Sequence, residues 1–178
     1  MAAHRIWLCY SSVTGNTKKL AEYMASCLKE KGYDLGFGKT ADMKELEEAE
    51  LYIMAFWCRR SGVDDMSLSF LEKCSDKNIL AIGTMSGDSV GNYGKRVSNN
   101  VRMAVEERNN CVGVWLCQGS ADLKRVQKRM LRPKDDPFYV SPEKYQTYVD
   151  RQNRPDESDL EAATAYAVEC IEKHFSHG

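Results

Sequence analysis

The stretch Ser11-Ser12-Val13-Thr14-Gly15-Asn16-Thr17 separates two segments of different pattern. Before it, Ile6-Trp7-Leu8-Cys9-Tyr10 is apolar without a break, as expected of a strand covered on both faces. After it, Leu20, Met24, Cys27 and Leu28 recur at helical spacing, and Gly32 ends the run. A strand, a tight turn and a helix therefore follow each other directly. Free backbone N–H groups and the positive end of the helix dipole converge at such a junction, which suits an anion. The hydroxyls of Ser12, Thr14 and Thr17 and the amide of Asn16 can add donors. The stretch itself has no positive charge, although Lys18 and Lys19 follow at once. It has no Gly-Lys-Ser/Thr, so it is not a Walker loop. Its one glycine also rules out the three-glycine dinucleotide turn. A bland alternative is a hydroxyl-rich turn that only caps the helix.

The alternation continues outward. Tyr33 to Phe37 reads as a weak second strand and Met43 to Ala49 as an acidic helical connector. Leu51 to Trp57 is a third strand, apolar throughout, and Asp65 to Cys74 a short helix. Asn78 to Gly83 is the fourth strand. Val97, Val101, Ala104 and Val105 mark the next helix, and Cys111 to Cys117 the fifth strand. Buried strands alternating with helices predict an α/β fold, a parallel sheet with helices on both faces. Beyond it, 121–131 and 143–151 read as short helices around a loop at 133–142. The last helix carries Leu160, Ala163, Ala167, Val168, Ile171 and Phe175, with Ser158 and Glu161 at capping-box spacing. The expected organisation is one domain over 1–178 with an extra segment at about 119–157. Such a long connection is often a lid or a partner surface.

The chain has 178 residues, 43% hydrophobic and 29% charged, with a net charge of −1. That composition excludes a disordered tail, and its balance argues against nucleic acid as a partner. No apolar run approaches the roughly 18–20 residues of a membrane span, and no secretory apolar region follows Met1. A cytoplasmic, reduced protein is expected. The seven cysteines include no C-x-x-C pair, so neither a zinc knuckle nor a dithiol is expected. Cys9, Cys27, Cys111 and Cys117 fall on positions predicted to be buried.

The run Ser12-Val13-Thr14-Gly15-Asn16-Thr17 resembles the flavodoxin phosphate loop, S/T-x-T-G-x-T, in its place after the first strand. The resemblance covers roughly residues 5–118 and the last helix. It implies a flavodoxin-like, doubly wound, five-stranded parallel sheet of order 2-1-3-4-5, with FMN at the switch point between strands one and three. On that resemblance Ser12, Thr14, Asn16 and Thr17 hold the FMN phosphate, with the backbone N–H groups of Val13 and Gly15. The loops after strands three and four would sandwich the flavin ring. The first of these supplies Trp57, Cys58, Arg59 and Arg60; the second supplies Thr84, Met85, Ser86, Gly87 and Asp88. Trp57 would stack on the ring or fill the core. The two arginines would favour an anionic reduced flavin or be solvated. Gly87-Asp88-Ser89 resembles the G-D-S of short flavodoxins, but the tyrosine that often follows two residues later is Gly91 here. Tyr93 either stacks in its place or opens the next helix.

The charge is uneven. Residues 95–132 hold nine Lys or Arg against three Asp or Glu, and residues 135–172 three against ten. Lys124, Arg125, Lys128, Arg129 and Arg132 share one predicted helix face, able to steer an acidic partner or dianionic substrate or simply to be solvated. Cys117-Gln118-Gly119 and Arg154 to Leu160 resemble a branch of flavodoxin-like proteins that accompany bilirubin reductase. The resemblance implies an FMN electron carrier between a reductase and a partner enzyme, with bilirubin reduction as a suggested pathway. The alternative is an FMN-dependent NAD(P)H:quinone or flavin reductase. A carrier needs no catalytic acid, base or nucleophile and no metal. His4, His174 and His177 all lie near the termini, which agrees.

Overall fold

The computed structural model describes residues 4–176. Five parallel strands form one sheet: β1 (Arg5–Tyr10), β2 (Asp34–Lys39), β3 (Leu51–Trp57), β4 (Asn78–Met85) and β5 (Asn110–Gln118), in the order β2-β1-β3-β4-β5. The chain starts at β1, steps outward to β2, then crosses back to β3 and marches on through β4 to β5. This reversal opens a crevice at the carboxyl ends of β1 and β3.

Helices cover both faces. On one lie α1 (Asn16–Glu30) and α6 (Glu157–Ser176), on the other α2 (Asp65–Lys73) and α3 (Asn92–Glu106). Leu20, Met24 and Leu28 of α1 pack with Ile6, Leu8, Ile53 and Leu80, all fully buried. Met54, Phe56, Ile79 and Ala81 point to the other face, against Phe70, Val97, Val101 and Val105. Adjacent residues of one strand thus serve two cores, which is why β3 is apolar throughout and β4 from Ile79 to Gly83. Each fully buried Leu, Ile or Met contributes about 1.5–3 kcal/mol.

After β5 come α4 (Leu123–Met130) and α5 (Pro142–Asp150). They close a small core of their own, with Val126, Val140 and Tyr148 buried against Leu123, Met130 and Tyr145. The segment thus has its own apolar centre.

Three local expectations change. The acidic connector at 43–49 is not helical; a 3-10 turn at Thr40–Asp42 precedes an irregular run. Three glutamates within four residues disfavour a short unsupported helix, and the carbonyls of Met43 and Glu47 instead accept from Lys73 Nζ and Tyr52 Oη. The capping box of α6 is Asp156–Asp159, not Ser158–Glu161. The Asp159 N–H donates to Asp156 Oδ1 (3.0 Å), and the Asp156 N–H to Asp159 Oδ2 (2.9 Å). Cys9 and Cys117 are buried, but Cys27 and Cys111 are only half-buried, since both lie toward the edges of their elements. All seven cysteines are free thiols.

Among the described residues no helix is long and apolar enough to cross a membrane, and no group of His, Cys, Asp or Glu could hold a metal ion. His4 accompanies Glu50 and stacks on Phe175, and His174 meets the Phe175 edge, both far from the crevice in the fold. His177 lies outside the described residues.

Candidate functional site

The turn from β1 to α1 is built for its position. Gly15 sits at the N-cap of α1 with φ +95°, a conformation that costs other residues about 1–2 kcal/mol. No side chain caps α1, so the N–H groups of its first turn remain for an anion. Ser12 Oγ accepts the Gly15 N–H at 3.2 Å and tightens the turn. Val13 and Thr14 stand exposed at the tip.

Two side chains of the motif turn inward. The buried Thr17 hydroxyl pairs with Thr84 Oγ1 at 2.8 Å, joining the start of α1 to the end of β4. Asn16 Nδ2 donates to the Ser120 carbonyl (3.0 Å) and Asn16 Oδ1 accepts from Ser120 Oγ (3.1 Å). Its amide is therefore engaged with the segment after β5. What Asn16 offers an anion is its backbone N–H.

The loop after β3 is anchored by a residue with no part in the sequence expectation, Asp64. It is 1% exposed. Its carboxylate caps α2 by accepting the N–H groups of Met66 and Ser67, and it also accepts Ser67 Oγ. It further accepts Ser11 Oγ at 2.8 Å and the Trp57 N–H at 3.2 Å. One buried carboxylate thus ties together the β1 turn, the end of β3 and the start of α2. The available signal was an Asp one residue before a helix, at the N-cap position.

Beyond Trp57 the chain reverses at once. Arg59 and Gly62 exchange both N–H···O bonds at 3.0 Å, with Arg60 and Ser61 at positive φ between them. That is a two-residue turn of the hairpin kind. Arg59 pairs with Asp65, and Arg59 and Arg60 line a separate groove with Leu68 and Asn100. Neither arginine lines the openings beside the β1 turn.

The loop after β4 is held from beneath. Gln118, 7% exposed, donates to the carbonyls of Met85 (3.1 Å) and Ser86 (3.3 Å), while its Oε1 accepts the Ser89 N–H. Gly94 lets α3 approach this loop, because a Cβ there would lie 2.1 Å from the Ser89 carbonyl oxygen. Asp88 is exposed and folds back on the Val90 N–H. Backbone N–H groups of Val90 and Gly91 hold its carboxyl below the ordinary range. Tyr93 packs beside Gly87 against the core under the loops, and Ser61 Oγ donates to its hydroxyl at 3.3 Å. Tyr93 thus ties the two loops together.

Between these loops lies a cleft of about 200 Å³. Val13, Thr14 and Asn16 form one wall; Trp57, Cys58, Thr84, Met85 and Ser86 form the base. Trp57 also borders a second opening on the far side, beside Ser12, Gly15, Lys18 and Lys39, so its ring stands on a ridge between two clefts rather than in the core. Burial pushes the Cys58 thiol above its ordinary pKa, so it stays protonated at neutral pH. The third wall comes from the extra segment: Ser120, Ala121, Asp122, Arg125, Val126, Arg129 and Tyr148. Of the expected site residues, Val13, Thr14, Asn16, Trp57, Cys58, Thr84, Met85 and Ser86 meet in this cleft. Ser12 and Gly15 border the second opening, and Thr17 supports the floor. Arg59, Arg60, Gly87, Asp88 and Tyr93 lie around or beneath the loops. Ser120, Asp122 and Tyr148 had no motif to announce them.

The donor set fits a phosphate attached to a flat apolar group. The uncapped first turn of α1 and the exposed Thr14 supply N–H and O–H donors. Trp57, Met85 and the half-buried thiol supply a surface for a ring.

Comparison with known proteins agrees with the fold. A family model described as Flavodoxin domain matches residues 7–168. The chain is 27% identical over 167 residues to the flavodoxin-like domain-containing protein BilS of Clostridioides difficile (strain CD3), covering 92% of this chain and 94% of that one. Oxidised flavodoxin 1 from Bacillus cereus superposes with a TM-score of 0.61 at 15% identity, covering 94% and 97% of the two chains. Oxidised flavodoxin 2 from the same organism gives 0.60 at 16% identity, covering 95% and 99%.

Proposed function

Because the chain belongs to the flavodoxin domain family, we propose that it is an electron carrier working between a reductase and a separate acceptor enzyme. FMN is the cofactor that this membership supports. The single observation that carries the reading is the uncapped N-terminus of α1, opening on a cleft floored by Trp57 and Met85.

The residues divide the work. The N–H groups at the start of α1, with the Thr14 hydroxyl, would hold the phosphate. Trp57 and Met85 would lie against the ring, and Cys58, kept neutral by burial, adds no charge beside it. Asp64 and Gln118 hold the two ring-binding loops from below. When bound, FMN takes up and releases electrons, and the protein binds, orients and electrostatically tunes it. Among the described residues no histidine lines the cleft, and the acid that does, Asp122, is engaged as a helix cap. The acceptor is suggested by the likeness to BilS, a flavodoxin-like protein, and by the strings Cys117-Gln118-Gly119 and Arg154–Leu160. On this proposal the acceptor enzyme is a bilirubin reductase.

The test is a titration of the purified chain with FMN, followed by turnover with NADH or NADPH and a quinone. A carrier binds FMN and turns over only when a reductase is added. Steady turnover alone would make the chain a flavin-dependent quinone or flavin reductase. Absence of FMN binding would overturn both readings.

A further inference from the structure

The anion site at the start of α1 has a charge deficit on its own side. The Ser12–Thr17 turn carries no cation. Both lysines that follow it are employed elsewhere: Lys18 pairs with Glu22 at 3.7 Å, and Lys19 Nζ donates to the Pro155 carbonyl at 2.6 Å. Lys18 and Lys39 border the opposite opening, beyond Trp57, with Ser12 and Gly15 of the turn. The cations lining the cleft shared with Thr14 and Asn16 are Arg125 and Arg129, one turn apart on α4.

These two arginines differ from most others in the molecule. Arg5, Arg59, Arg102, Arg132 and Arg154 each pair with a carboxylate. Arg125 and Arg129 form no ion pair among the described residues, although acids lie nearby. Asp122 faces the same cleft, but its carboxylate accepts the Arg125 N–H as the cap of α4. Asp136 is taken by Arg132 and by the Phe138 N–H, with Arg129 adding only a longer-range attraction. Arg129 Nε donates to the Phe138 carbonyl at 2.9 Å, which leaves its terminal amino groups with their donors unspent. The wall that carries the pair is also fixed to the turn, since Ser120 exchanges two hydrogen bonds with Asn16.

We infer that Arg125 and Arg129 bind the phosphate dianion of the cofactor, closing from α4 the anion site that the Ser12–Thr17 turn opens. The inference rests on FMN being the ligand of this cleft. It gives the segment at 119–157 a role in the site: it brings the charge that the turn lacks. A guanidinium suits the task, since its planar donors match phosphate oxygens and it stays charged at any working pH.

The experiment compares FMN with riboflavin, which lacks the phosphate, by fluorescence-quenching titration of the full chain. R125Q and R129Q should each weaken FMN by about tenfold, the worth of a charge-assisted hydrogen bond. Riboflavin binding should stay within about twofold of the parent. K124Q and K128Q remove the same charge from the neighbouring face of α4, outside the cleft, and should leave the FMN-to-riboflavin ratio nearly unchanged. R125K and R129K should restore part of the loss. Far-UV circular dichroism checks that each variant is folded. Equal losses for FMN and riboflavin would overturn the inference, because the wall would then only shape the cleft. So would an unchanged ratio in the arginine variants, or an equal effect from K124Q and K128Q. A parent chain that binds neither flavin would overturn the proposed function itself. A parent that binds FMN with no arginine effect would overturn the inference alone.

Discussion

Removing the Asp64 carboxylate should loosen the site and the fold together. In Asp64→Ala the Met66 and Ser67 N–H groups lose their cap, at a cost of about 0.5–2 kcal/mol. The Trp57 N–H loses its acceptor in a half-buried position, for about 1–3 kcal/mol more. The hydroxyls of Ser11 and Ser67 can rotate toward other acceptors, so they add less. These two terms add to about 1.5–5 kcal/mol, centred on about 3 kcal/mol. At about 2–4 °C per kcal/mol for a chain of this size, the midpoint should fall by about 10 °C. Asp64→Asn keeps one acceptor oxygen and the shape, so its loss should be smaller. The assay is equilibrium urea unfolding and thermal melting followed by circular dichroism, with FMN affinity measured at a temperature where the variant is folded. FMN binding should weaken as well, because Asp64 sets both the β1 turn and the Trp57 strand end. A midpoint shift under about 2 °C, with unchanged FMN affinity, would refute the role given to this carboxylate.

Gly15→Ala should destabilise the chain by about 1–2 kcal/mol through its φ of +95° alone, since an added Cβ meets nothing within 4 Å; denaturant midpoints at constant slope would read this. The pair Arg154–Asp159 makes acid stability sensitive to one carboxyl. Burial pushes the Asp159 pKa up, but hydrogen bonds from Arg154 and the Asp156 N–H outweigh it and bring it below the ordinary 3.8. The stabilisation is therefore present above that ordinary value and fades as pH falls through the lower folded value. Asp159→Asn should be less stable than the parent at neutral pH, and the gap should narrow below about pH 4 in pH-resolved melting. Burial raises the thiols of Cys9 and Cys117 to about 12 and that of Cys74 to about 11. Iodoacetamide at pH 7.5 should label these three only after unfolding, as read by mass spectrometry.

The legible parts of this protein were those where a residue's role is decided by its own stretch of chain. The continuous apolar runs at 6–10, 51–57 and 79–83 announced strands buried on both faces, and both faces are covered. The turn Ser12–Thr17 announced a tight turn leading straight into a helix, because a glycine and a helix start are local facts. The acidic connector failed because a short helix depends on what it packs against, and here Met43 and Glu47 serve other elements. The capping box of α6 was misplaced by two residues because several acids and a serine compete within five positions, and the chain's approach to the helix selects Asp156.

Partner choice across the fold was not legible. Asn16 and Ser120 are 104 positions apart, and Ser11 and Asp64 are 53 apart. Nothing near Asn16 in the chain says that its amide will be spent on Ser120. The basic run at 124–132 could be read as a charged helix face, but not as a wall. Local spacing determined most of the helices and strands, because those depend on backbone geometry and short-range pattern. The tertiary structure alone decided which cations line the cleft beside the Ser12–Thr17 turn. Lys18 and Lys19, adjacent in sequence, are turned to Glu22 and Pro155, while Arg125 and Arg129 are carried in by a separate packed segment. Electrostatic contact depends on distance through space, and only the folded chain sets it.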